Sequence, residues 1–142
     1  MAYIPKIGIA YSAIQKRKEI GELMELLYPG NPNQQYAALS IVLELKWADS
    51  DGYQELTWIM EKHNIPHRIF ERARERLHKL GILEHATNLS AKTNGAHGWK
   101  LSSRFSCTLK LLGDKWSGCM TDKSSGRSQR DFTELNYIIK KY

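Results

Sequence analysis

The chain has 142 residues, 42% apolar and 25% charged, with a formal net charge of +6. That length allows one domain with a real core plus a short extra element at each end. No apolar run nears the roughly 18 residues needed to cross a bilayer. Residues 1–13 lack a hydrophobic signal core followed by a small-residue cleavage site, so neither a membrane protein nor a secreted precursor is expected.

Two cysteines, Cys107 and Cys119, stand twelve positions apart with no CxxC pair and no clustered histidine. Neither a zinc site nor a disulfide scaffold follows from that spacing, and the expectation is a reduced, cytoplasmic protein without metal or cofactor. The charge is unevenly spread. Residues 1–64 hold six Lys/Arg against eight Asp/Glu, whereas residues 65–142 hold fifteen against seven. A swing from −2 to +8 is the footprint of a protein that meets a polyanion with its second half.

In chain order, residues 13–27 predict a first helix. Ser12 and Gln15 make a capping pattern, Ala13, Ile20, Leu23, Met24 and Leu27 share a face, and Pro29-Gly30 ends it. Lys16-Arg17-Lys18 reads as a solvated charge run. Asn31 and Pro32 open a second helix, and apolar residues from Tyr36 to Leu45 surround it so densely that it belongs at the centre of the domain. Residues 48–52 break the pattern, and Asp51 with Gln54 predicts a cap for a third helix over 53–62, whose inward positions are Leu56, Ile59 and Met60. Asn64 tolerates the left-handed backbone of a tight turn, and Pro66 suits the first turn of a following helix. Two short helices joined in this way form a helix-turn-helix.

The segment 66–80 is the most informative in the chain. On a 3.6-residue wheel, Ile69, Phe70, Ala73, Leu77 and Leu80 fall on one side and require a core to pack against. Arg68, Arg72, Arg76 and Lys79 line one flank, while His67, Arg74 and His78 line the other. Arg68–Arg72 and Arg72–Arg76 are like-charge pairs at i,i+4, each unfavourable by a few tenths of a kcal/mol unless an anion lies alongside. Glu71 and Glu75 sit in the middle of the exposed face. Glu71 could accept from a cytosine amine, but surface pairing of Glu71 with Arg68 or Arg74, and of Glu75 with Lys79, is the plainer role.

Leu80-Gly81-Ile82-Leu83 changes the period from helix to strand, and Gly98-Trp99-Lys100-Leu101 begins a second strand. The polar loop between them carries Lys92, Asn94, Gly95 and His97, suited to a sugar-phosphate backbone, although such loops also exist merely to turn. Residues 102–116 predict a strand end running into a helix with Phe105, Leu109, Leu112 and Trp116 on one face. Residues 117–130 read as a mobile Gly/Ser-rich linker, and residues 131–142 as an amphipathic helix with Phe132, Leu135, Ile138 and Ile139.

From Gln34 to Trp116 the chain resembles the winged helix-turn-helix regulators of bacteria and archaea. Ile65 stands at the turn, Phe70, Ala73 and Leu77 face inward, and Leu80-Gly81-Ile82-Leu83-Glu84 matches the exit from the recognition helix into the first wing strand. Met60 and Arg74 depart from the small and apolar residues usual at their positions. Gln35-Tyr36-Ala37-Ala38-Leu39 and the segment from Gly95 to Leu101 are also similar to the iron–sulfur-sensing repressors, but their clustered cysteine ligands have no counterpart here, so no cluster is implied. Winged domains of plasmid and phage replication initiators are similar in arrangement as well.

The resemblance implies an α+β fold, mainly α with a small β-hairpin. It would comprise an N-terminal helical extension (1–30), a winged helix-turn-helix domain (31–116), the linker (117–130) and a C-terminal amphipathic helix (131–142). It implies a transcription regulator that binds double-stranded DNA, and the terminal helices, 13–27 and 131–141, are candidates for a homodimer interface because each offers an apolar stripe outside the core module. Candidate DNA contacts are His67, Arg68, Glu71, Arg72, Arg74, Arg76, Lys79, Lys92, Asn94, His97 and Lys100. Alternatives are a replication or mobilisation initiator, and a winged protein-interaction scaffold that binds no nucleic acid. Catalysis is not expected: the five histidines at 63, 67, 78, 85 and 97 lack ligand spacing, and no nucleotide loop or nucleophile elbow is evident. Trp47, Trp58, Tyr53 and Trp99 suit aromatic packing better than an effector pocket.

Overall fold

A computed structural model describes residues 10–49, 52–87 and 97–141, with side chains described to residue 139. The element order is α1 (Tyr11–Gln15), α2 (Ile20–Leu27), α3 (Pro32–Lys46), β1 (Gly52–Tyr53), α4 (Thr57–Lys62), α5 (His67–Leu80), β2 (Leu83–Ala86), β3 (Gly98–Leu101), α6 (Arg104–Thr121) and α7 (Arg127–Lys141). The protein is mainly helical, with one small antiparallel sheet in the order β1-β3-β2, as the α+β expectation requires. It divides into two units, Met1–Phe105 and Ser106–Tyr142.

In the first unit, α3 is the central helix. The Asn31 side chain accepts from the Gln34 amide at 3.2 Å, with Pro32 in the first turn. Ala37, Ala38, Ile41, Val42 and Leu45 are buried. Their small and branched side chains let α2 and α5 approach closely, and Met24, Leu27, Phe70, Ala73 and Leu77 complete the core with Ile59, Ile65 and Leu83. Tyr28, only 2% exposed, donates its hydroxyl to the Ala73 carbonyl at 2.8 Å, which ties the end of α2 to the middle of α5.

The turn between α4 and α5 follows the sequence closely. Asn64 has φ +54°, and the Ile65 amide returns to the Met60 carbonyl at 2.9 Å. Pro66 lies just before the helix, and its carbonyl accepts from the Phe70 amide at 3.0 Å. At the far end Gly81 has φ +84°, and the Ile82 amide reaches the Leu77 carbonyl at 2.9 Å, closing the helix in the way a left-handed residue permits. A Cβ on Gly81 would lie 3.2 Å from Arg104 Cβ and 3.3 Å from the Phe105 amide. The Gly81 carbonyl in turn accepts from that amide at 3.1 Å.

Three expectations are corrected. Residues 13–27 form two helices: after Gln15 the Arg17 amide turns to the Ile14 carbonyl at 3.1 Å, and the Arg17 guanidinium bonds the Ala13 carbonyl at 3.0 Å and Glu25 at 3.2 Å across the break. Residues 52–53 form β1, and the following helix begins at Thr57. The Gly52 Cα presses on β3 so closely that an added Cβ would sit 2.0 Å from the Trp99 carbonyl oxygen. Finally, the segment expected as a linker is helical at both ends: α6 runs to Thr121, whose hydroxyl bonds back to the Ser117 carbonyl at 2.9 Å, and α7 starts at Arg127. Residues 122–126 form the break, with the Ser124 amide and hydroxyl both bonded to Asp122 and Gly126 at φ +81°. No helix among the described residues is long and apolar enough to cross a membrane.

Gly81→Ala should destabilise the protein by about 1–2 kcal/mol, since the new Cβ meets both a left-handed backbone and a tight contact. Tyr28→Phe should cost about 1 kcal/mol for the lost hydrogen bond while keeping the packed ring. Urea unfolding followed by circular dichroism measures both.

Candidate nucleic-acid interface

Helix α5 presents one face to the core and the opposite face to solvent, because its apolar residues recur at helical spacing. Phe70, Ala73 and Leu77 are buried, which turns His67, Arg68, Arg72 and Lys79 outward, all of them exposed. Arg68 and Arg72 enter none of the ion pairs among the described residues. They lie one turn apart, so their guanidinium groups project along a single row.

The other cations of the helix are engaged. Arg74 is ion-paired with Glu71, and its guanidinium lies 5.1 Å over the Trp99 ring. Lys79 pairs with Glu75 at 3.1 Å, although both remain well exposed. Arg76, expected to continue the outward row, is half-buried with its guanidinium 5.2 Å over the Tyr28 ring. The wheel placed Arg76 at the edge of the apolar face, and there the aromatic ring at the end of α2 takes it. Glu71, tied to Arg74, is not a free acceptor for a base.

The sheet forms the second part of the site. In the β2–β3 register Glu84 faces Lys100 and His85 faces Trp99. Lys100 Nζ lies 3.3 Å from Glu84, and Arg104 reaches the other carboxylate oxygen at 3.5 Å. Hydrogen bonding from Lys100, with help from Ser102 and Arg104, holds the Glu84 carboxyl below its ordinary range despite partial burial. Lys100 is thus already neutralised by its cross-strand neighbour. His97 is exposed, its ring 5.3 Å from that of His85. Lys92 and Asn94 lie outside the described residues.

Trp99 organises this edge of the site, and sequence reasoning gave it no such part. His78 and His85 both meet its ring edge-on, at centroid distances of 5.5 and 4.9 Å, while Arg74 covers it. The available signal was the alternation in β3, which sends Trp99 and Lys100 to opposite faces. Clefts of about 120 Å³ and 210 Å³ flank the Arg74–Glu71 pair beside Trp99. Both are below the roughly 300–1,000 Å³ of ordinary small-molecule sites. Trp47 is 74% exposed, and Tyr53 stacks edge-on against Trp58 at 4.9 Å, so the four aromatics do not converge on one pocket. Among the described residues no group of three or more His, Cys, Asp or Glu is placed to hold a metal ion.

Away from this face, Glu44 on α3 anchors the end of α4. Lys62 Nζ and His63 Nε2 lie 2.8 and 2.9 Å from the same carboxylate oxygen. Hydrogen bonds from Lys62 and then His63 hold the Glu44 carboxyl below its ordinary range.

Because the folded values of Glu44 and Glu84 are depressed, their stabilisation is present above the unfolded carboxylate value, about pH 4.3, and is lost as pH falls through the folded values. Stability should therefore decline on acidification below about pH 5. Glu44→Gln should flatten that decline in urea midpoints measured from pH 6 to pH 3; an unchanged slope would show that the Lys62 and His63 contacts add nothing.

Comparison with family models, with curated proteins and with solved structures yields no match, so the reading of this surface rests on its own geometry.

Proposed function

We propose that the protein is a DNA-binding transcription regulator whose helix α5 enters the major groove of a duplex. The observation that carries this reading is the Arg68–Arg72 row. Two exposed cations without ion-pair partners among the described residues stand one turn apart on a helix whose other face is fixed in the core. Such a row is unfavourable in isolation and gains when phosphate lies beside it.

The order of elements supports the same reading. A central helix α3 is followed by a short strand, two helices across a tight turn, and a hairpin whose return strand pairs with the first strand. That order supports reading the domain as the winged helix-turn-helix expected from the sequence, in which the second helix of the pair would lie in the groove and the hairpin loop would follow the backbone. Arg68 and Arg72 are the principal contacts, with His67 at the start of the helix and Lys79 at its end. His97 stands at the base of the hairpin loop. Arg74, Arg76 and Lys100 belong to the scaffold of the site, since each is held by a carboxylate or an aromatic ring.

Enrichment of random duplexes on the purified protein should recover a motif. With that motif, Arg68→Ala and Arg72→Ala should each weaken binding by about 5- to 100-fold at fixed salt. The salt dependence of the binding constant should lose roughly one unit of log–log slope for each phosphate contact removed. Wild-type affinity in both variants, or duplex retention indifferent to salt between 50 and 200 mM, would sink the assignment and favour a protein-interaction scaffold.

A further inference from the structure

Among the described residues of the second unit, Ser106–Tyr142, no side chain is buried. Helix α6 contains no buried residue, yet both helices carry a stripe of large apolar side chains. On α6, Leu109, Leu112 and Trp116 recur at intervals of three and four and are 49%, 60% and 65% exposed. On α7, Phe132, Leu135 and Ile139 repeat the spacing and are 67%, 54% and 71% exposed. Spacing of this kind places each set on one helix face, the pattern of a helix that packs on another helix.

The exposed area decides between a solvated arm and an interface. Large apolar side chains present about 150–250 Å² when fully exposed. Eight of the large apolar residues exposed in this unit lie on these faces (the six above with Met120 and Ile138); uncovered by about half or more, they present roughly 900 Å². A monomer's largest apolar patch is ordinarily about 300–600 Å², and a stable interface takes about 800 Å² from each partner. Two stripes on helices joined by five residues, 122–126, need two complementary stripes to cover them.

We propose that the occupant is a second copy of this chain, with α6 and α7 of one copy packed against those of the other in a two-fold, four-helix cluster. A second copy supplies both stripes at the required separation, and two-fold pairing makes one surface self-complementary. The charges beside the stripes agree: Lys115 borders that of α6 and Glu134 that of α7, so α6 against the partner's α7 sets opposite signs together. The two ends of the chain do not share this role. The apolar residues Met24 and Leu27 of α2 are spent in the core of the first unit, which leaves the carboxy-terminal unit to make the contact. The inference does not depend on what the first unit binds.

Sedimentation equilibrium of the full chain should give twice the 16.4 kDa chain mass at micromolar concentration. Leu112→Glu and Trp116→Glu should each raise the dissociation constant at least tenfold, whereas Lys110→Glu, off the stripe, should leave it unchanged. The two cysteines supply an independent readout, since Cys119 lies on the α6 stripe and Cys107 on the opposite face, and both are exposed in the single chain. Maleimide labelling should be slow at Cys119 and fast at Cys107 in the wild type, and fast at both in Leu112→Glu. A single-chain mass at 100 µM overturns the proposal, as does a dimer in which Cys119 labels as fast as Cys107. Because neither readout involves DNA, a failure here is separate from a failure of the groove assignment.

Discussion

The direction in which α5 faces depends on Tyr28. A phenol that is 2% exposed must place its hydroxyl on an acceptor, and the acceptor here is the Ala73 carbonyl in the middle of the helix. A carbonyl oxygen has two lone pairs, so Ala73 can serve the tyrosine and its own helix together. Neighbouring residues on a helix differ in direction by about 100°. A rotation of one position would bring Arg72 or Arg74 under the buried ring in place of Ala73, at the cost of burying a charge. The bond therefore selects which side chains meet solvent. Burial pushes the Tyr28 phenol up, outweighing the opposite pull of the Arg76 guanidinium, which favours the protonated form that donates this bond.

Net charge alone overstates the positive surface available to a partner. The second half of the chain carries an excess of eight cations, but Arg74, Lys79, Lys100 and Arg104 all have carboxylate partners, and Arg76 lies on a ring. Among the described residues, Arg68 and Arg72 are the Lys/Arg side chains of α5 that enter neither kind of contact. Exposed ion pairs are individually weak, about 0–1 kcal/mol, and their importance here is directional. Each pair cancels field in its own neighbourhood and leaves the first two turns as the part of α5 whose positive charge is not cancelled by a neighbour among the described residues.

The large apolar periodicities were legible, and the local bonds that interrupt or divert them were not. The core face of α5, the left-handed Asn64, the Asn31 cap and the exit at Gly81 all follow from residue type and spacing, and the structure places them as expected. Strand β1 has two residues, too few for any alternation, and it exists because Gly52 lacks a Cβ where the Trp99 carbonyl approaches. At the break after Gln15 one guanidinium bridges a backbone carbonyl and Glu25, a contact no hydropathy pattern records. Arg76 shows the limit most clearly. On the wheel it belongs to the basic flank, but a flank is outward or inward according to what packs beside it, and Tyr28 lies 45 residues from Ala73 in sequence. The composition of residues 117–130 suggested a linker because Gly and Ser are weak helix formers, though α6 holds its helical geometry to Thr121.

The contrast between the two units is a statement about where folding free energy comes from. The first unit buries branched and aromatic side chains from α2, α3, α4, α5 and β2 in one cluster, so its helices are held by packing. Beyond Phe105, which packs on that cluster, the described side chains of α6 and α7, helices of 18 and 15 residues, include none that is buried. Isolated helices of that length are marginal in water even with favourable sequences. Here Gly113 and Gly118 add a penalty of about 1 kcal/mol each relative to alanine. Local pairs such as Arg127–Asp131 at 2.7 Å return only a few tenths of a kcal/mol. The apolar stripes are therefore the main reservoir of stabilisation these helices have, and it is drawn on only when the stripes are covered.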